Sequence, residues 1–150
     1  METNFKLFSS AFEDGEVIPE KYTCRGEGIN PSLEISGVPE GTKSLVLIMH
    51  DPDAPSGDFL HWTIWNISQN TMKIPENSVP DNAKEGCTDF GKSGYGGPCP
   101  PSGVHHYIFE LSALDAKLDL PAGATRAELE KAIAAHIITK TVLTGTVSTK

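Results

Sequence analysis

Apolar residues along the chain occur mainly in short runs separated by turn residues, and this pattern predicts a protein built largely of β-strands. Glycine and proline, 14 and 11 residues respectively, interrupt the sequence at short intervals up to residue 124. The predicted strands cover residues 5–9, 33–36, 44–50, 62–67, 104–111 and 140–147. The strand at 44–50, SLVLIMH, is apolar at nearly every position, so we expect it to be central in a sandwich or layered sheet.

One later segment, residues 125–138, has the residue spacing of an α-helix. Thr125 and Glu128 form the pattern of a capping box, which satisfies amide groups at the start of a helix. From Leu129 onward, apolar residues recur three and four positions apart in a stripe that includes His136. We therefore predict a helix over 125–138, with His136 on or near the buried side in a hydrogen-bonded role rather than as a ligand.

The length and composition are typical of a single globular domain covering residues 1–150. The chain is 38% hydrophobic, and no run approaches the roughly 18 apolar residues of a membrane span. The N-terminal residues show no basic region followed by an apolar stretch, so we expect no secretory signal and a cytoplasmic protein. The net charge of −8 argues against binding to a nucleic-acid backbone, although it is compatible with a local anion pocket.

The three cysteines, Cys24, Cys87 and Cys99, show no metal-binding or redox spacing. Disulfides are rare in the cytoplasm, so we expect all three to be reduced thiols.

Acidic and histidine residues are concentrated in the segment HDPDAPSGDFLHWTIWNI, residues 50–67. Asp51 directly follows the buried strand, so its carboxylate is expected at the rim of a sheet, with Asp53 two residues further on. Asp-Pro pairs are also common in ordinary turns, so these residues alone do not establish a site. His61 opens the next strand, where alternation groups it with Trp65 and Ile67. Both faces of that strand are partly apolar, so the direction of His61 stays open.

A second unusual segment, GYGGPCPPSGVHHYIF, precedes and includes the strand at 104–111. His105 and Tyr107 share the face that becomes fully apolar further along, whereas His106 is expected to point toward solvent or a second layer. The glycines of the preceding loop allow the backbone to approach a ligand closely, and its prolines restrict the loop. The loop lacks the pattern of a phosphate-binding P-loop.

Taken together, DPDAP followed by a histidine-led strand, and then GPCPPSG with HHY, resemble the phosphatidylethanolamine-binding protein family, also called the Raf kinase inhibitor protein family. The resemblance covers nearly the whole chain and is closest to the bacterial and archaeal members. It implies a mainly β fold, a sandwich of antiparallel sheets with a C-terminal helix and short peripheral helices. It also implies a pocket for phosphate or phosphorylethanolamine and a cis peptide bond between Ala54 and Pro55. The matching pocket positions are Asp51, His61, His105 and Tyr107, with Asp53, Gly97 and Pro98 lining the pocket.

The C-terminal segment LTGTVSTK departs from the family pattern. Members of the family often place an aromatic residue here to help cover the pocket, but this chain has Val147 at that position. We therefore expect a lid of a different kind. The short segment between DPDAP and His61 is expected to leave the pocket more open.

The function predicted from these features is binding of a small anion without catalysis, and without a metal or other cofactor. An alternative is a metal-dependent enzyme, in which Asp51, His61 and His105 would form a two-histidine, one-carboxylate site. A third interpretation makes the chain a regulator of a protein partner such as a kinase. The sequence leaves open whether the protein is a monomer or a homodimer.

Overall fold

The computed structural model describes residues 4–149, which form two antiparallel β-sheets and one α-helix. In chain order the elements are β1 (Lys6–Phe8), a turn of 3-10 helix (Glu20–Tyr22), β2 (Leu33–Ser36), β3 (Ser44–Asp51), β4 (Phe59–Ile67), β5 (Lys73–Ile74), β6 (Lys84–Glu85), β7 (Val104–Leu114), α1 (Arg126–Ile133) and β8 (Ile137–Ser148). The smaller sheet has the order β1-β2-β5 and the larger one β6-β4-β3-β7-β8. Within this range, no helix is long and apolar enough to cross a membrane.

Strand β3 lies at the centre of the larger sheet, between β4 and β7, as its uninterrupted apolar sequence predicts. Leu47 packs in a core that also contains Leu33 of the smaller sheet, and we call this the inter-sheet core. Val46 and Ile48 face the opposite side and pack in a second core with residues of α1, the helix-side core. Burying an aliphatic side chain of this size contributes roughly 1.5–3 kcal/mol relative to leaving it exposed. Packing on both faces therefore fixes the strand that ends at Asp51.

Helix α1 begins as predicted but ends earlier. The Thr125 hydroxyl accepts a hydrogen bond from the Glu128 amide, and the Glu128 side chain accepts one from the Thr125 amide, which confirms the capping box. The helix ends at Ile133 rather than continuing to 138, because the β-branched residues from Ile137 onward pair with β7 and begin β8. His136 hydrogen-bonds Asp115 at 2.8 Å, which confirms its predicted hydrogen-bonded role, but its side chain is 42% exposed, so the predicted position on the buried side is wrong.

Strand β4 departs from regular alternation at Asn66, where its pairing with β3 contains one extra residue. Asn66 has a φ of 58°, and its amide group exchanges two hydrogen bonds with the backbone of Leu118, at 2.7 and 2.8 Å. The extra residue turns Ile67 to the inter-sheet core beside Trp62, whereas Trp65 packs in the helix-side core. The prediction that Ile67 and Trp65 share a face is therefore wrong.

Two of the three cysteines are paired. Cys24 and Cys99 form a disulfide between positions 75 residues apart, whereas Cys87 is free. The prediction of reduced thiols is therefore wrong for this pair, and nothing in the sequence had selected one pairing among three cysteines. The expectation of reduced thiols had followed from a cytoplasmic location, where disulfides are rare.

The DPDAP segment reverses direction without a cis peptide bond. None of the peptide bonds of the described residues is cis, so the expected cis bond at Ala54–Pro55 is wrong. The chain reverses in a turn in which the Gly57 amide donates to the Ala54 carbonyl at 3.0 Å. Gly57 has a φ of 108°, a conformation that glycine adopts readily. This turn leads from β3 into β4 with ordinary trans bonds.

Candidate functional site

A cavity of about 250 Å³ opens at one end of the larger sheet, where β3, β4 and β7 meet. Four buried polar residues line its deepest part, which we call the floor: Asp51, His61, His105 and Tyr107. The walls are mainly apolar and consist of Ala54, Pro55, Ser56, Phe59, Phe90, Cys99, Pro100 and Pro101. The structure thus brings together four of the predicted site residues, although they come from three different strands.

Asp51 and His105 form a buried pair on the floor. His105 Nδ1 donates to Asp51 Oδ2 at 2.6 Å, and both side chains are almost completely buried. The second oxygen of Asp51, Oδ1, accepts a hydrogen bond from the Asp53 amide at 2.8 Å. Both carboxylate oxygens are therefore used within the protein. The other ring nitrogen of His105, Nε2, is therefore the one that can contact a bound molecule.

His61 reaches the floor through a second irregularity in β4. Met49 of β3 pairs with Trp62, and the next residue of β3 pairs with Leu60, so His61 is an extra residue without a partner on β3. The bulge turns its ring toward Tyr107, on the same side of the sheet as Trp62. The alternation in the sequence, which places His61 and Trp62 on opposite faces, does not hold at this bulge.

The hydrogen bond of His61 determines which of its nitrogens faces a ligand. Nδ1 donates to the Gly96 carbonyl at 2.7 Å, so in the neutral ring Nε2 carries the lone pair. Burial lowers the pKa of His61 below its ordinary value, although the Gly96 carbonyl and the charge of Asp51 act in the opposite direction. His61 is therefore neutral near neutral pH.

Tyr107 lies between the two histidines. Its ring centroid is 5.1 Å from that of His61, which it meets edge-on, and 6.4 Å from that of His105, with which it is stacked. Burial raises the pKa of Tyr107, and the negative charge of Asp51 and a hydrogen bond to that carboxylate raise it further. The hydroxyl therefore keeps its proton over the physiological range and can donate it in a hydrogen bond, either to Asp51 or to a ligand.

Asp53 does not line the cavity, in contrast to its expected position. Its Oδ2 accepts hydrogen bonds from the backbone amide of His106 at 2.8 Å and from His106 Nδ1 at 2.7 Å. These two bonds lower the pKa of Asp53. The side chain of His106 is 56% exposed, whereas that of His105 is buried, so the predicted orientation of this pair is confirmed. Asp53 thus holds the DPDAP segment against β7 from outside the cavity.

Gly97 and Pro98 also lie behind the cavity wall rather than on it. The Pro98 carbonyl accepts a hydrogen bond from the Cys24 amide at 3.0 Å. A Cβ atom at Gly97 would lie 3.1 Å from backbone atoms of Tyr22 and Thr23, a closer approach than most side chains tolerate. The glycine-proline loop therefore packs on the segment before β2, and its later residues, Pro100 and Pro101, form the wall.

Two aromatic residues of the wall were not among the predicted site residues. Phe59 lies two positions before His61 in β4, and its ring centroid is 5.1 Å from that of His61, so strand alternation could have found it. Phe90 lies in the loop between β6 and β7, 5.3 Å from His61 by ring centroids. No sequence pattern connects Phe90 to the site, because this contact depends on the tertiary fold.

The floor does not have the arrangement of a metal site. Within residues 4–149, no group of three or more His, Cys, Asp and Glu side chains is placed to hold a metal ion. The carboxylate of Asp51 is directed toward His105 Nδ1 and the Asp53 amide. The alternative of a metal enzyme built on Asp51, His61 and His105 is not supported by this geometry.

The C-terminal strand runs beside the site without covering it. Val147 pairs with His105 across β7 and β8, and its side chain is buried in the inter-sheet core. None of the described residues of β8 lines the cavity, so the expectation of a lid of a different kind stays a prediction.

Comparisons with known proteins agree with this architecture. A family model described as phosphatidylethanolamine-binding protein matches residues 8–148. The UPF0098 protein of Methanothermobacter thermautotrophicus is 46% identical over 144 residues, which cover 93% of this chain and 95% of that protein. A UPF0098 protein of Pyrococcus horikoshii is 50% identical over 146 residues, which cover 91% of this chain and 73% of that protein.

Two crystal structures share the fold. A phosphatidylethanolamine-binding protein homologue from Chlamydia trachomatis superimposes with a TM-score of 0.95 at 39% identity, covering 99% of this chain and 100% of that one. YBCL of E. coli, described as a member of the mammalian family, gives a TM-score of 0.91 at 33% identity, covering 97% and 99% of the two chains. On the evidence of sequence and fold together, this chain belongs to the phosphatidylethanolamine-binding protein family.

Proposed function

We propose that the cavity binds a small anion, either phosphate or a phosphoryl head group such as that of phosphorylethanolamine, without chemical turnover. The observation that carries this proposal is the pair of buried imidazoles, His61 and His105. Both Nδ1 atoms are used by the protein, so both Nε2 atoms are left for a ligand. The Tyr107 hydroxyl adds a donor beside them. In their protonated form the two imidazoles present Nε2 as charged donors, which match the need of phosphate oxygens for charge-assisted hydrogen bonds.

Binding of an anion is expected to be coupled to protonation of His61. In the neutral ring Nε2 is an acceptor, and it would repel the lone pairs of a phosphate oxygen. Burial disfavours the imidazolium form of His61 in the empty cavity, whereas a bound anion favours it. The phosphate dianion should therefore bind together with a proton, and the affinity calculated for the dianion should rise as the pH falls from 8 to 6.

Asp51 is negatively charged, yet its position is compatible with an anion site. One of its oxygens faces His105 Nδ1 and the other the Asp53 amide, so the carboxylate is turned toward donors within the protein. Its charge can then offset that of an imidazolium at His105. We propose that Asp51 orients His105, and that His105 rather than Asp51 contacts the ligand.

We propose binding rather than catalysis because the cavity lacks an activated nucleophile among its described residues. Ser56 lies on the wall, but no hydrogen bond joins its hydroxyl to His61 or His105. A serine nucleophile requires a base within hydrogen-bond reach.

Calorimetric titration of metal-free protein tests the proposal. Inorganic phosphate and phosphorylethanolamine should each bind at pH 6 in the presence of a chelator. Failure of both to bind, with affinity restored by added zinc or iron, would contradict the anion site and favour a metal centre.

We propose further that occupancy of the cavity regulates a protein partner such as a kinase, as the family resemblance suggests. Phe90 is 42% exposed and lies on the cavity wall, so a ligand could change the surface that a partner contacts. Pull-down of partners with and without phosphorylethanolamine tests this idea. If the same proteins are retained in equal amounts in both conditions, ligand-controlled regulation is excluded.

A further inference from the structure

The cavity is larger than a phosphate group alone requires. Its volume of about 250 Å³ would accommodate roughly eight water molecules at ~30 Å³ each. The donors suited to an anion are confined to the floor, at His61, His105 and Tyr107. The remaining space lies between apolar walls that include Pro55, Phe59, Phe90 and Pro101. A ligand that fills this space therefore carries a substituent beyond its anionic group.

The aromatic part of the wall is directly adjacent to the anion-binding floor. The ring centroids of Phe59 and Phe90 are 4.9 Å apart in an edge-to-face arrangement, and each lies within 5.3 Å of the His61 centroid. Phe90 also packs closely on Gly96, where a Cβ atom would overlap the phenyl ring. Gly96 is the residue whose carbonyl accepts the His61 hydrogen bond. The same backbone position thus holds both His61 and Phe90.

The wall offers no carboxylate to an ammonium group. Asp51 is the one acidic residue among the described residues that line the cavity, and both of its oxygens accept hydrogen bonds within the protein. Asp53 is turned toward His106, and Asp89, next to Phe90, accepts a hydrogen bond from the Leu60 amide. Burying an ammonium group without a partner is costly. The faces of Phe59 and Phe90 offer an ammonium group no more than a weak cation–π contact, whereas an apolar or aromatic substituent gains from packing against both rings.

We propose that the cavity prefers phosphate monoesters with a compact aryl or alkyl substituent over both inorganic phosphate and aminoalkyl phosphates. This inference rests on the proposed anion site and adds the class of ligand. The phosphoryl group lies on the floor at His61 and His105, and the substituent packs between Phe59 and Phe90.

Calorimetric titration at pH 6 with phenyl phosphate, phosphorylethanolamine and inorganic phosphate tests the preference. Phenyl phosphate should bind at least about tenfold more tightly than inorganic phosphate, because its ring is removed from water against two aromatic side chains. Phosphorylethanolamine should bind within about threefold of inorganic phosphate, since its ammonium group finds no free carboxylate on this wall.

Two matched variants assign the preference to the wall. Phe90→Ala should reduce the ratio of phenyl phosphate affinity to inorganic phosphate affinity to below about threefold. The control, Phe8→Ala, removes a phenylalanine from β1 of the other sheet whose exposed fraction, 44%, is close to the 42% of Phe90. It should leave the ratio of phenyl phosphate affinity to inorganic phosphate affinity unchanged.

The failures of the two proposals are distinguishable. If inorganic phosphate binds but phenyl phosphate binds no better, or if phosphorylethanolamine is preferred, the inference about the ligand class is wrong and the anion site stands. If the preference persists in Phe90→Ala, the substituent does not contact this wall. If none of the three compounds binds, the anion site itself is wrong.

Discussion

The role of Asp51 can be tested by replacing it with the isosteric but uncharged asparagine. The amide oxygen of the new side chain could still accept from the Asp53 amide, but its NH2 group would then face His105 Nδ1, which must shift its proton to Nε2 in order to accept from it. A buried hydrogen bond to a charged group, worth about 1.5–3 kcal/mol, would be replaced by a weaker neutral one. The charge that offsets an imidazolium at His105 would disappear with it.

For Asp51→Asn we therefore expect two effects of the same origin. The free energy of unfolding should fall by about 1–2 kcal/mol in urea denaturation, because a charge-assisted buried hydrogen bond becomes a neutral one. The affinity for phosphate at pH 6 should fall by roughly 10- to 150-fold in calorimetry, because an imidazolium at His105 in the bound state would lose a counter-charge worth about 1.5–3 kcal/mol. Asp53→Asn is the matched control. It alters a carboxylate that is 40% exposed outside the cavity, so its phosphate affinity should stay within about threefold of the native value.

The sign of the change in affinity is decisive for this reasoning. If Asp51 mainly repelled the anion, removing its charge would strengthen phosphate binding. Tighter or unchanged binding by Asp51→Asn, with native affinity in the control, would refute the role of Asp51 as the residue that orients His105 and offsets its charge.

Three further results are expected. His105→Ala should weaken phosphate binding by at least about tenfold, whereas His106→Ala should change it by less than about threefold, because only His105 of the two lines the cavity. If titrations gave the opposite order, the wrong histidine would have been assigned to the site. The affinity calculated for the phosphate dianion should decrease from pH 6 to pH 8, because the pKa of His61 is lowered in the free protein and rises when the anion binds. At pH 8, where free phosphate is mainly the dianion, binding should take up about one proton; calorimetry in buffers of different ionisation enthalpy measures this uptake, and none at pH 8 would exclude the coupling. Cys99→Ser should lower the free energy of unfolding by up to about 4 kcal/mol, because its disulfide closes a loop of 75 residues. The control, Cys87→Ser, should have little effect, since Cys87 is a free thiol. Equal denaturation midpoints for the two variants would show that the disulfide does not stabilise the native state.

The features that sequence could predict are those set by local pattern. The apolar run of β3 indicated a central strand, alternation along β7 separated His105 from His106, and Thr125 with Glu128 marked the start of α1. Each of these follows from the geometry of a single strand or helix. The family resemblance then brought Asp51 and the histidines together, which alternation within single strands could not do.

The features that sequence could not predict depend on contacts between distant segments. The bulge at His61 is visible only in the pairing of β4 with β3. It puts the His61 ring on the same side of the sheet as Trp62, although alternation assigns the two residues to opposite faces. The Cys24–Cys99 disulfide and the position of Phe90 likewise depend on how loops pack in the fold. The expected position of Asp53 is wrong because its partner, His106, belongs to another strand.

The central claim, that a ligand oxygen is bound by the Nε2 atoms of His61 and His105, is tested most directly by nitrogen-15 NMR of the histidine rings. Metal-free protein would be titrated with inorganic phosphate near pH 7. We expect the Nε2 resonance of His61 to move toward the value of a protonated nitrogen, the Nε2 resonance of His105 to shift with the same saturation curve, and that of His106 to stay in place. Saturable phosphate binding that leaves both His61 and His105 resonances unchanged would contradict the account.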